Sequence, residues 1–355
     1  IEWGYGNWNW SQINFGARNV GPAIPADVRT MLVSAAGANR VWDSRAQTYA
    51  SWVNQRERLG ITTALQYHPN DRTDVTLDLL YGRLVNRRET DALGAAGTNN
   101  VSANNITGSQ VLTGVTIDRY NSITGASFSG IDMRTETRNT RDQTDFWQVA
   151  LNARTDITDT LSVSMLGGWS RSVFNSAYAQ VHLESVGKSY SFSGLDTDTP
   201  RNSYGFDLAN PANWDPFSAE SRADRIMSEF YNAKGEIAWK VADSSTIKVG
   251  SVYKEFSNEG WSRRKTNNYD GRSGLPTLPK QVLSVPSLAP YIVADIAGSY
   301  QALGINSSLD AGNTTTGTNY QISERSWNAF AQYDLNRTLG SIGLRANIGL
   351  RYYHT

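Results

Sequence analysis

Four stretches of this chain alternate apolar and polar residues one for one, and that period of two constrains its fold more than any other property. From Leu59 the odd positions read Leu59, Ile61, Thr63, Leu65 and Tyr67, with Gly60, Thr62, Ala64, Gln66 and His68 between them. Pro69-Asn70-Asp71-Arg72 supplies turn residues, and the pattern resumes as Val75, Leu77, Leu79 and Tyr81 against Thr76, Asp78 and Gly82. Successive side chains of a strand leave opposite faces, so this pattern specifies strands with one apolar and one polar flank.

The unit returns three times. Trp147, Val149, Leu151 and Ala153 turn at Asp156-Ile157-Thr158-Asp159 and come back as Leu161, Val163, Met165, Gly167 and Trp169. Ile237, Trp239 and Val241 turn at Asp243-Ser244 and return through Ile247, Val249 and Tyr253. Trp327, Ala329, Ala331 and Tyr333 turn near Asn336 to Gly340 and return as Leu344, Ala346, Ile348, Leu350 and Tyr352. Hairpins are therefore expected at 57–84, 146–170, 232–255 and 326–355, each strand near the roughly ten residues that a tilted membrane-crossing strand needs.

The stretches between them, 85–145, 171–231 and 256–325, are rich in Asn, Thr, Ser, Gly and Asp and are expected to be long loops. Structureless connections of that length are uncommon in compact soluble domains. Short turns on one side and long loops on the other are the layout of an outer-membrane barrel, short toward the periplasm and long outside. Tyr67, Tyr81, Trp169, Tyr253 and Tyr352 fall toward strand ends on the apolar flank, where interfacial aromatic girdles form. The expected fold is all-β, an antiparallel transmembrane β-barrel in the outer membrane of a Gram-negative bacterium. A soluble β-sandwich with ordinary cross-strand aromatics is the competing fold.

Composition narrows the alternatives. Mean hydropathy is −0.46, and no run approaches the roughly 18 to 20 apolar residues of a spanning helix, which excludes helical spans and leaves strands untouched. The chain has no cysteine, so disulfide scaffolds, thiolate metal sites and cysteine catalysis are all excluded. Lys plus Arg and Asp plus Glu are 33 each, so no bulk field favours nucleic acid. Two segments read less simply. Residues 1–19 crowd Trp3, Tyr5, Trp8, Trp10 and Phe15 among Gly, Asn and Ser, as a strand's girdle end or an outer loop would; Asp27 to Ala36 has the spacing of a short amphipathic helix.

The hairpin RLGITTALQYHPNDRTDVTLDLLYGRL resembles a unit of TonB-dependent outer-membrane receptors, and ISERSWNAFAQYDLN with LRANIGLRYYHT is similar to another of their strand pairs. The likeness is closest to the branch common in Caulobacter-like and Xanthomonas-like bacteria, associated with oligosaccharide uptake, and covers about a third of the chain, the hairpins. It implies a barrel of about 22 strands filled by an N-terminal plug domain and energised by the TonB complex through a TonB box. The sequence shows neither plug nor TonB box, and about eight strands are legible. The chain is accordingly expected to be a middle section of the barrel of a longer receptor.

Catalytic constellations do not converge. His68, His182 and His354 have no metal-ligand spacing, no glycine-rich phosphate loop or Gly-x-Ser-x-Gly occurs, and Asp156 and Asp159 read as turn residues. Asp196 and Asp198 fall short of a calcium motif. No enzyme, cofactor or metal is expected. Asp78, Arg154, Lys234, Glu236, Lys248, Lys254, Arg345 and Arg351 fall on the flank opposite the apolar one and are expected to line a wet lumen, toward plug or solute. Tyr204, Trp214, Trp261 and Tyr269, with Arg263 and Arg264, are the candidate ligand contacts, since flat rings with one polar handle suit sugar rings. The run Arg263-Arg264-Lys265 would equally suit a ferric chelate or lipopolysaccharide phosphates. The expected partners are outer-membrane lipid and lipopolysaccharide, the plug, the TonB complex and a small solute. The expected function is energy-coupled uptake of an oligosaccharide. Alternatives are a ferric-siderophore receptor of the same family, a passive porin-like barrel and a soluble all-β carbohydrate-binding protein.

Overall fold

A computed structural model describes residues 2–14, 26, 30, 40–95, 111–286 and 288–355, with side chains described from residue 48 onward in the main body. It is all-β, dominated by one antiparallel sheet in the order β1-β2-β3-β5-β6-β8-β9-β12-β13. These strands are β1 (Glu2–Asn14), β2 (Arg40–Asn70), β3 (Thr73–Ala95), β5 (Ile123–Asp156), β6 (Leu161–Ser193), β8 (Asp215–Ala242), β9 (Ser245–Asn268), β12 (Tyr320–Leu339) and β13 (Ile342–His354). Two short strands attach beside it, β4 (Val111–Ile117) on β5 and β7 (Arg201–Tyr204) on β6.

Tight turns join these long strands at one end of the sheet, where side chains satisfy the reversing backbone. Asn70 Oδ1 accepts from the Arg72 amide at 3.0 Å, and Thr158 Oγ1 accepts from the Leu161 amide at 3.0 Å. Arg72 reaches across to Asp159 at 2.7 Å and ties two neighbouring turns together. The last turn passes through Gly340 at φ 62°, a conformation that favours glycine.

The strands run much further than the hairpins read from sequence. β5 alone has 34 residues and β6 has 33, about three times what a membrane crossing needs. Much of 85–145, 171–231 and 256–325 is thus strand rather than loop. Above Tyr81 and Trp147 charged and amide residues interrupt both flanks, so the alternation that marks a strand is lost while the backbone ladder continues. Residues 2–14 form a strand paired to β2. The helix expected at Asp27 to Ala36 lies largely outside the described residues.

One face of the sheet, traced by register, is apolar at two heights. Near the turns Leu65 faces Leu77, Leu77 faces Leu151, Val163 faces Ile237, Ile237 faces Val249, and Ala331 faces Leu350. Among the described residues nothing covers this lower belt: Leu65 is 57% exposed, Met165 64%, Ile348 73% and Leu350 83%. At the far end the same face carries Leu93, Met133, Val181, Leu183 and Ala219, all buried. A cap covers them, built from a 3-10 turn at Pro211–Asn213, a small sheet of β10 (Lys280–Leu283) with β11 (Tyr291–Ala294), and α1 (Ile296–Ala302).

The Trp214 ring is fully buried there, its Nε1 donating to the Leu208 carbonyl at 3.0 Å. Three further bonds fix the cap. Tyr291 OH donates to the Asp91 carbonyl at 3.1 Å, Tyr300 OH to the Glu220 carbonyl at 2.7 Å, and the Ala294 amide to Thr137 Oγ1 at 3.1 Å. The hydrophobic core therefore sits at the end remote from the turns.

Candidate functional site

The belt ends in a row of rings. Tyr81 lies against Trp147 with centroids 4.2 Å apart, Trp169 pairs with Tyr231, Tyr253 with Trp327, and Trp327 meets Tyr352 at 6.0 Å. Their polar atoms point away from the belt. Tyr81 OH donates to Asp145 at 3.0 Å, Trp169 Nε1 to Glu229 at 3.0 Å, and Tyr253 OH to Glu255 at 2.7 Å. In the next rows the face becomes charged, with Arg83 3.9 Å from Asp145 and Arg325 3.0 Å from Glu255. On this face the side chains thus change within two rows from apolar rings to carboxylates and arginines.

The opposite face is mostly polar, with Leu80, Leu166, Phe230, Val252 and Phe330 as apolar members. Asp78, Arg154, Glu236 and Lys248 lie on it in even-numbered rows that pair strand to strand, and Arg345 and Arg351 join them because they pair with Asn336 and Phe330 of β12. Lys248 pairs with Asp334 at 2.7 Å and Lys234 with Glu236 at 2.9 Å. Phe330 spreads across Gly250, where an added Cβ would come within 2.5 Å of its ring, and the Arg351 guanidinium stands 5.8 Å from that ring.

Toward the cap this polar face carries a row that sequence reasoning missed. Glu136, His182 and Ser218 come from three neighbouring strands and face one another in register. His182 Nε2 lies 3.2 Å from Glu136 and 2.6 Å from the Gln180 amide nitrogen, and Nδ1 lies 2.8 Å from Ser218 Oγ. Arg138 holds Glu136 at 2.5 Å and Gln180 Oε1 at 2.8 Å. Burial pushes the Glu136 carboxyl up, but His182 and Arg138 together hold it below the usual range.

Beside this row, Glu220 accepts from Tyr178, Arg264 and, at 3.1 Å, Thr266. Its burial is again outweighed by those donors, so the carboxyl stays low, while burial and the same bond push the Tyr178 hydroxyl up to about 12. Glu184 differs. Arg134 binds it at 3.1 Å, yet burial dominates and raises its carboxyl to about 7. A bulge between Ser218 and Pro216 turns Phe217 onto this face, where the Arg134 guanidinium lies 3.5 Å above its ring. Fixed arginines, carboxylates and flat rings on one wet surface can bind a hydroxylated solute by hydrogen bonds and stacking.

The ring-and-arginine candidates are scattered by the fold. Trp214 and Tyr269 are buried in the cap core and offer no ring face to a solute, which corrects their expected role. Tyr204 packs on Tyr190 at 5.6 Å against the same core. Trp261 and Arg263 share the belt's face, with the guanidinium 4.2 Å from the ring. Arg264, one residue on, points to the polar face and joins Glu220. Of the six, Arg264 alone joins the polar row. No local signal could have exposed that row, because His182 is 46 residues from Glu136 and 36 from Ser218. Among the described residues no group of His, Asp or Glu is arranged to hold a metal ion.

Compared with known proteins, the chain matches no family model, no curated protein and no solved structure.

Proposed function

We propose that this chain forms part of the wall of a β-barrel in the outer membrane of a Gram-negative bacterium and serves TonB-dependent, energy-coupled uptake of an oligosaccharide. The uncovered apolar belt, closed above by rings whose polar atoms meet carboxylates, carries the reading. A belt of this kind in water would expose far more contiguous apolar surface than a soluble protein tolerates. Set against acyl chains it costs nothing, and the charged opposite face then lines a wet interior. In that orientation the tight turns face the periplasm, and the long upper strands and the cap stand outside the cell.

Energy coupling rests on the hairpin resemblance to TonB-dependent receptors. The oligosaccharide reading rests on the Glu136–His182–Ser218 row and its flanking arginine–ring pairs, which offer many directional bonds to hydroxyl groups and little net charge. The test is genetic and biochemical together. Deletion should abolish growth on one class of defined oligosaccharide, and the protein should leave membranes only with detergent. Expression induced solely by iron starvation would transfer the reading to a ferric siderophore, and extraction with buffer alone would end it.

A further inference from the structure

Between the lower belt and the cap, the belt's own face opens into a cavity of about 590 Å³. Its floor is small, Ala177, Ala179 and Ala223, and Ser307 and Leu309 overhang it from the segment that follows α1. Arg87 and Arg141 stand on that face as direct cross-strand partners, and both line the cavity with Gln55 and Asn139. Like charges placed directly opposite one another on a sheet repel and destabilise it. Two acids temper the pair: Glu57 bonds Arg87, and Glu89 lies on the cavity wall. Arg141 has the Gln143 amide oxygen at 3.2 Å, a neutral partner. Two guanidinium groups held side by side beside amides and an open, small-residue floor make a receptor for an oxyanion carried on a sugar.

Height and face decide where such a ligand comes from. Arg141 lies six residues above Trp147, about 20 Å along the strand, and on the outward face in the orientation proposed above. A transported solute would follow the opposite, polar face. The geometry points to a site for a phosphorylated saccharide of the outer leaflet's lipopolysaccharide core, seated against the outer wall between Arg87 and Arg141. This assignment rests on the membrane orientation in the proposed function.

The test uses the full-length protein extracted from its own membranes in detergent, with phosphorylated, deacylated core oligosaccharide as the probe. Binding should weaken at least tenfold for the enzymatically dephosphorylated oligosaccharide and for Arg141→Gln. It should also weaken for Ala179→Phe, which fills the floor without touching a charge. Arg141→Gln should leave solute uptake and thermal stability intact, since it relieves a repulsion. Equal binding of the dephosphorylated probe, or full binding by both variants, would overturn the site. Loss of uptake in Arg141→Gln would overturn its assignment to the leaflet and place the cavity on the solute's path. If the protein leaves membranes without detergent, the functional reading fails instead, whatever the oligosaccharide does.

Discussion

Glu184 is only 4% exposed, and burial raises its carboxyl to about 7 against the pull of Arg134. A folded-state value above the unfolded one means that the native state favours the protonated acid. The stabilisation is fully present below about pH 4.5 and is lost as pH rises to about 7, where the difference converts to about 3 kcal/mol. Thermal unfolding in detergent should show the native protein losing stability between pH 5 and pH 8. Glu184→Gln should flatten that dependence, and an unchanged slope in the variant would refute the burial argument. Residues of this kind were the least legible in the sequence. Trp214 and Tyr269 read as stacking groups because they sit in polar stretches, yet a cap packed on a sheet needs large rings at its centre. His182 read as an isolated loop histidine because its partners arrive from strands on either side.

Single elements were more legible, because alternation is itself a statement about two faces. Three of the four tight turns fall where the turn residues of the sequence place them; the last lies at Gly340-Ser341, because Asn336 to Leu339, expected in the turn, continue β12. In-register pairing carries the apolar flank of one strand onto the next. The upper strands escaped notice for a physical reason. There charged and amide side chains take the place of the apolar flank, so Arg83, Val85 and Arg87 opposite Asp145, Gln143 and Arg141 resemble a loop. The two faces make opposite forecasts at adjacent positions. Leu151→Arg, at belt mid-height, should cost about 2–4 kcal/mol in urea unfolding from lipid vesicles. Asn152→Arg, on the polar face one residue away, should cost less than about 1 kcal/mol by the same measurement. Equal costs would mean that the two faces do not meet different media. In the cap, Trp214→Ala removes a fully buried ring and should cost about 3–5 kcal/mol, with release of the cap by limited proteolysis as its readout.

At the scale of the whole molecule, the sheet's far edge makes the sharpest demand. β13 pairs with β12 along its length, and all its residues are exposed. In an antiparallel ladder successive residues bond alternately to the neighbour on one side and the neighbour on the other, so every second amide of β13 points away from β12, and among the described residues no strand receives it. An open edge of that length invites pairing with other chains, and within hydrocarbon each unpaired backbone group costs several kcal/mol. A barrel removes the problem only by giving β13 a second neighbour. Residue-resolved hydrogen exchange on the native protein in lipid distinguishes the cases. With the sheet continuing, amides from Leu344 to Tyr352 should all be protected as strongly as those of β12. With the edge open, protection should alternate, one amide slow and the next fast. That alternation would defeat the barrel and leave the belt to be covered by some other means.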